Sequence, residues 1–153
     1  MNLIKVSELN DVDNLFIGCV REWVTAVLYA QNPMPVLKYL LSNHKIQKTM
    51  IPIDDLMRSI VLSLTKKLDF RVSNCCFLGE SEKDILSVLY NFQVKREETA
   101  TNLIDKMVDK IYRNVAISSS KLICKDFTEV GLFFNNPTIS NIINYNFKDK
   151  KYI

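Results

Sequence analysis

Cys75 and Cys76 stand side by side in the stretch SNCCFLGESEKDIL, residues 73–86. Adjacent thiols suggest two kinds of chemistry, metal ligation and nucleophilic attack. A zinc site needs about four ligands, and cysteines usually supply them in spaced pairs. The chain has four cysteines (Cys19, Cys75, Cys76 and Cys124), no CxxC spacing, and one histidine, His44. No metal is therefore expected. A Cys–His nucleophilic pair with His44 would need a third, orienting group and an activated thiolate. A cysteine-dependent enzyme using Cys75 or Cys76 stands as the second alternative. The leading reading takes both as small apolar residues in a tight link before a helix.

Carboxylates cluster at Asp54-Asp55, Glu97-Glu98 and Glu80/Glu82/Asp84. Each group falls at an expected helix N-terminus, where the helix dipole favours negative charge without catalysis. There is no GxSxG, no HExxH and no glycine-rich phosphate loop. With 3 glycines in the whole chain, a backbone phosphate cradle is hard to build. The sequence points away from an enzyme, and it implies no cofactor and no small-molecule ligand.

Basic residues offer another chemistry. Residues 101–153 hold eight basic side chains (Lys106, Lys110, Arg113, Lys121, Lys125, Lys148, Lys150, Lys151) against five acidic ones. Lys106, Lys110 and Arg113 fall in one row of an expected helix over 96–115. A preceding helix at 81–92 and a possible wing carrying Lys121 and Lys125 give the element order of a winged helix-turn-helix. Asp105 and Asp109 alternate with these cations, and the overall charge is only +3. Nucleic-acid binding is thus the first alternative, and a solvated mixed-charge face the simpler reading. Aromatic residues give the third candidate surface. Phe133, Phe134, Tyr145, Phe147 and Tyr152 gather toward the C-terminal end, and aromatic side chains are enriched at protein interfaces.

The elements that must position these residues are helices. The 153 residues are 48% hydrophobic and 24% charged, the balance of an ordinary globular domain that needs no metal or disulfide to form a core. In residues 10–30, Val12, Leu15, Phe16, Cys19, Val20, Trp23, Val24 and Val27 mark one helix face, capped by Asn10 or Asp11. Gly18 interrupts that helix and suggests a close helix neighbour. Pro33 and Pro35 lead into a short helix. A third stripe runs through Ile53, Leu56, Met57, Ile60, Val61, Leu64 and Leu68. Ser81 with Asp84 resembles a capping box for the helix over 81–92. In 96–115 the residues Leu103, Ile104, Met107, Val108, Ile111, Tyr112 and Val115 repeat without a break. Residues 121–134 read as a small β-hairpin or a further helix and turn; Ile, Phe and Val with Gly131 tilt toward strands.

The fold expected is mainly α, a single compact bundle of five or six helices around the 10–30 helix, with the hairpin near 121–134 as an optional addition. One domain covers residues 1–140, and 141–153 form a basic and aromatic tail, expected to be mobile. The N-terminal residues have acids where a signal peptide needs an apolar run, and no stretch is long enough to span a bilayer. The protein reads as soluble and cytoplasmic, with no membrane partner. It is expected to act without catalysis by binding another protein, or a second copy of itself as a homodimer.

Overall fold

Asn10 starts the first helix as the pattern predicts. Its side-chain oxygen accepts the Asp13 backbone N–H at 2.8 Å, and α1 runs Asp11–Leu28. In the computed structural model, which describes residues 3–135, five more α-helices follow. They are α2 (Met34–Ser42), α3 (Met50–Val61), α4 (Glu80–Gln93), α5 (Glu97–Met107) and α6 (Arg113–Glu129). The fold is mainly helical and forms one compact bundle. Among the described residues there is no strand, only an isolated bridge between Lys5 and Phe77. The expected boundary at 140/141 and the tail lie outside the described residues.

The core gathers where α6 crosses α3 and α4. Phe127 of α6 meets Phe16 of α1 edge to face at 6.2 Å. The 10–30 helix is therefore one wall of the bundle and not its axis. Its Trp23 is fully buried, and the indole N–H donates to Asp54 of α3 at 2.8 Å.

Three expectations about element limits fail, each for a local reason. The third stripe ends at Val61, not at Leu68. The Ser63 hydroxyl donates to the Ser59 carbonyl at 2.7 Å and accepts the Asp109 N–H at 2.8 Å, so it terminates the helix. The stripe expected over 96–115 is two helices. The chain becomes extended at Val108 and Asp109, then turns through a short 3-10 segment, Lys110–Tyr112, into α6. Asp109 gives its N–H to Ser63, which takes it out of any continuous helical ladder. The hairpin expected near 121–134 is a helix as far as Glu129, with Ile123 and Phe127 on its buried face. β-Propensity loses here to packing against α3 and α4.

The helix ends explain how the chain manages with 3 glycines. Four helices close with a residue in the left-handed region: Ala30, Lys45, Lys95 and Gly131, at φ 55°, 60°, 66° and 76°. Each is followed by a backbone bond back across the last turn, such as Arg96 N–H to the Asn91 carbonyl at 2.8 Å. This is the Schellman arrangement, where glycine is preferred. Three of the four ends use a side chain that tolerates the position poorly.

Candidate functional site

Two charged regions stand out. One is closed. Arg21 projects from α1 into the link between α3 and α4, and its Nε and Nη2 donate to the two carboxylate oxygens of Glu82 at 2.9 and 3.0 Å. Nη1 donates to the Cys75 carbonyl at 2.8 Å and Nη2 to the Phe77 carbonyl at 2.9 Å. Arg21 is 4% exposed and Glu82 is fully covered. Glu82 also accepts the Gly79 N–H at 2.9 Å, which caps α4. The cap is thus Gly79 with Glu82, two residues before the expected Ser81. Ser81 has a different partner: its hydroxyl accepts the Asp69 N–H at 2.8 Å. A Cβ on Gly79 would lie 2.1 Å from the Asp69 carbonyl oxygen, so the close approach of this strand of link requires glycine. The Asp69 carboxylate accepts the Glu80 N–H and the Arg71 guanidinium, which together hold its carboxyl below the usual range.

The other region is open. A cleft of about 370 Å³ lies between the C-terminal end of α4, the start of α5 and the outer side of α6. Phe92 and Cys124 line it deeply, and Lys95, Lys121 and Lys125 stand among its walls. Its charges are unevenly matched. Lys121 pairs with Glu97 at 3.2 Å and lies 5.8 Å from the centre of the Phe92 ring. Glu129 pairs with Lys48 at 3.3 Å, and Lys48 also reaches Asp126 at 3.4 Å. Among the described residues, Lys95 and Lys125 have no ion pair. Lys95 is also the residue held at φ 66° after α4. The Cys124 thiol donates to the Leu89 carbonyl at 3.2 Å, and burial pushes its pKa up to about 12. It supplies no nucleophile near neutral pH. Chemically the cleft offers two uncompensated ammonium groups beside an apolar floor, which suits a carboxylate carried on an apolar or aromatic body.

The residues singled out from sequence are scattered. Lys106 lies on α5, Lys110 in the 3-10 turn and Arg113 at the start of α6, so they form no single helical row. Arg113 pairs with Asp105 at 2.6 Å. Lys121 and Lys125 sit on a helix and not on a wing, and they come together at the cleft. Phe133 is 58% exposed, whereas Phe134 is 4% exposed and stacks on Phe127 with ring centres 5.0 Å apart. Tyr145, Phe147 and Tyr152 lie outside the described residues. His44 is exposed in the turn after α2, and no hydrogen bond joins it to Cys75 or Cys76. Cys76 is exposed and Cys75 half-buried, so the pair is not core material.

Two features had no clear mark in the sequence. Arg21 sits in an apolar helix stripe, and its one sign is that a charge there must find a partner. Lys95 follows α4 where Gly or Asn would be ordinary. Leu64 and Ile111, 92% and 80% exposed, carry apolar surface on two segments that the Ser63–Asp109 bond holds together. Among the described residues no group of three His, Cys, Asp or Glu side chains could hold a metal ion, and no helix is long and apolar enough to cross a membrane. Comparison with protein families, with curated proteins and with solved structures gives no match, so the functional reading rests on this geometry.

Proposed function

We infer that the chain is a non-catalytic binding protein whose α4–α6 cleft receives an acidic, partly apolar segment of a partner protein. One observation carries the reading: Lys95 is kept in a backbone conformation that favours glycine at the mouth of an apolar cleft, beside Lys125, and neither has an ion pair among the described residues. Unfavourable backbone conformations persist where something other than stability retains them. An acidic peptide fits this better than nucleic acid does. A nucleic-acid footprint needs many phosphate contacts, and here Arg113 and Lys121 are already occupied by Asp105 and Glu97.

Fluorescence polarisation with a labelled peptide alternating Glu with Phe or Leu tests it, against a peptide with Gln for Glu. Binding should be saturable, should weaken about tenfold for Lys125→Gln, and should need the acidic side chains. Equal binding of both peptides sinks the reading. Tighter binding of duplex DNA or single-stranded RNA near 50 mM salt would replace it with the nucleic-acid alternative.

A second reading, self-association, is favoured by the exposed Leu64 and Ile111. Apolar side chains held out on a hydrogen-bonded turn suit an interface between copies. Light scattering across a concentration series tests it, with Leu64→Ser as the control that should remove any dimer. A monomer at every concentration rules it out.

A further inference from the structure

The four cysteines fall into two classes. Cys19 and Cys124 are buried, and burial pushes each thiol up to about 12. Cys75 and Cys76 lie on the link between α3 and α4, half-buried and exposed. The Arg71 guanidinium, paired with Asp69 at 2.9 Å, stands on the same link. Accessible thiols are the ones that peroxides oxidise. The backbone of the same two residues has structural work. The Cys75 carbonyl accepts Arg21 Nη1 at 2.8 Å, and the Cys76 carbonyl accepts the Val6 N–H at 2.7 Å.

We propose that Cys75 and Cys76 form a reversible thiol-oxidation site, in which a hydroperoxide converts the pair to a disulfide and withdraws the Cys75 carbonyl from Arg21. In the first step the Cys75 thiolate attacks the terminal oxygen of the hydroperoxide. An S–O bond forms, the O–O bond breaks, and the alkoxide leaves with a proton as the alcohol. In the second step the Cys76 thiolate attacks the Cys75 sulfenic acid. An S–S bond forms, the S–O bond breaks, and hydroxide leaves with a proton as water. The two thiols are oxidised by two electrons and the peroxide is reduced by two.

Ring closure carries a conformational demand. Disulfide-bonded residues usually have Cα atoms ~4.4–6.8 Å apart, whereas neighbours across a trans peptide are ~3.8 Å apart. The peptide between Cys75 and Cys76 must therefore distort, and its carbonyl is the one bound to Arg21. A disulfide strained in this way is easily reduced, which makes the change reversible. The readout lies in the fold: Arg21 loses one acceptor, and the Val6 N–H is loosened from the Cys76 carbonyl on the other side of the ring.

Hydrogen peroxide added to the purified full chain tests this, with intact mass and peptide mapping as readouts. The chain should lose two hydrogens, both from the 75–76 peptide, and dithiothreitol should restore them. Cys76→Ser should instead gain oxygen at Cys75. Hydrogen exchange of the Val6 amide should speed up by about tenfold in the oxidised chain. Oxidation first at Cys19 or Cys124, cross-linking between chains through Cys76, or no reaction short of global unfolding would overturn the proposal. So would a disulfide that leaves Val6 exchange unchanged.

Discussion

The link around Arg21 and the cleft beside α6 treat charge in opposite ways. In the link, a guanidinium and a carboxylate are removed from water, yet each finds several partners: Glu82, the carbonyls of Cys75 and Phe77, and the Gly79 N–H. In the cleft, Lys95 and Lys125 are exposed and have no ion pair among the described residues. The first arrangement fixes the path of an irregular 18-residue connection between Val61 and Glu80. The second leaves charge available to something outside the bundle. Charge completed internally serves architecture; charge left incomplete at a concave, partly apolar surface is what the proposed binding role would use.

Breaking the closed region should have the largest effect. Arg21→Met leaves the Glu82 carboxylate buried with only backbone donors and strips the Ser73, Cys75 and Phe77 carbonyls of this donor. Removing one partner of a buried pair typically costs about 3–5 kcal/mol. Urea denaturation should show that loss, and a cost under about 1 kcal/mol would mean that Glu82 alone organises the link. The double variant Arg21→Met/Glu82→Leu should recover only part of the loss, because the Cys75 and Phe77 carbonyls remain unpaired.

Gly79→Ala attacks the same region without touching charge. The new methyl would meet the Asp69 carbonyl oxygen at 2.1 Å, a backbone atom that cannot swing away. The link must shift, and overpacking of this kind costs about 1–3 kcal/mol. The expected value is near the upper end. A melting temperature within about 1 °C of the parent, less than a loss of about 1 kcal/mol would produce, would show that the link is pliable.

Asp13 sharpens the comparison, because it is buried like Glu82 but not completed. One carboxylate oxygen accepts the Asn135 N–H at 3.1 Å, and the other has no hydrogen-bond partner among the described residues. Burial raises its pKa from 3.8 to about 6, partly offset by the Asn135 bond. With the folded value above the unfolded one, the proton stabilises the fold. That contribution is complete below about 3.8 and is lost as pH rises through about 6. Asp13→Asn should therefore gain on the order of 2 kcal/mol over the parent at pH 7 and nothing near pH 4. Asp69 pulls the other way, since its lowered carboxyl pKa costs stability as the solution is acidified. The difference between parent and variant cancels that term. Parallel stability curves for the two proteins between pH 4 and pH 7 would remove Asp13 as the source.

Gly18 and Gly79 show how much of this the sequence could display. Gly18 reads as a break in its helix and suggests a tight helix contact, whereas nothing local marks the close approach at Gly79. A Cβ at Gly18 meets nothing within 4 Å, so Gly18→Ala should add about 1 kcal/mol by helix propensity alone. A thermal shift upward checks it, and a shift downward would reveal a contact that the geometry lacks. Helix existence was legible because apolar spacing is local: the faces of α1 and α3 follow their stripes. The turn at Val108 was not legible. An apolar period continues through Ile111 and Val115, and only the long-range Ser63–Asp109 bond shows that the chain leaves the stripe there. The Arg21–Glu82 pair joins residues 61 apart, beyond the reach of any local pattern. Lys121 and Lys125 were found, but on a wing that does not exist; their meeting with Lys95 across the α4–α6 cleft depends on tertiary packing.

The smallest change separates the two regions most cleanly. Lys95→Gly removes a side chain from the cleft and at the same time puts the preferred residue in the left-handed position at φ 66°. An L-residue there costs roughly 1–2 kcal/mol, and part of the gain is returned as extra freedom of glycine in the unfolded chain. The variant should thus be more stable by on the order of 0.5 kcal/mol. Were Lys95 merely tolerated, the gain would come with no other consequence. If the cleft receives acidic peptide, the stabilised variant should bind it about tenfold more weakly, while Lys45→Gly gains similar stability at φ 60° and leaves binding unchanged. Equal peptide affinity in parent, Lys95→Gly and Lys45→Gly would reduce Lys95 to an imperfect helix end, and with it the strongest reason for reading the cleft as a binding site.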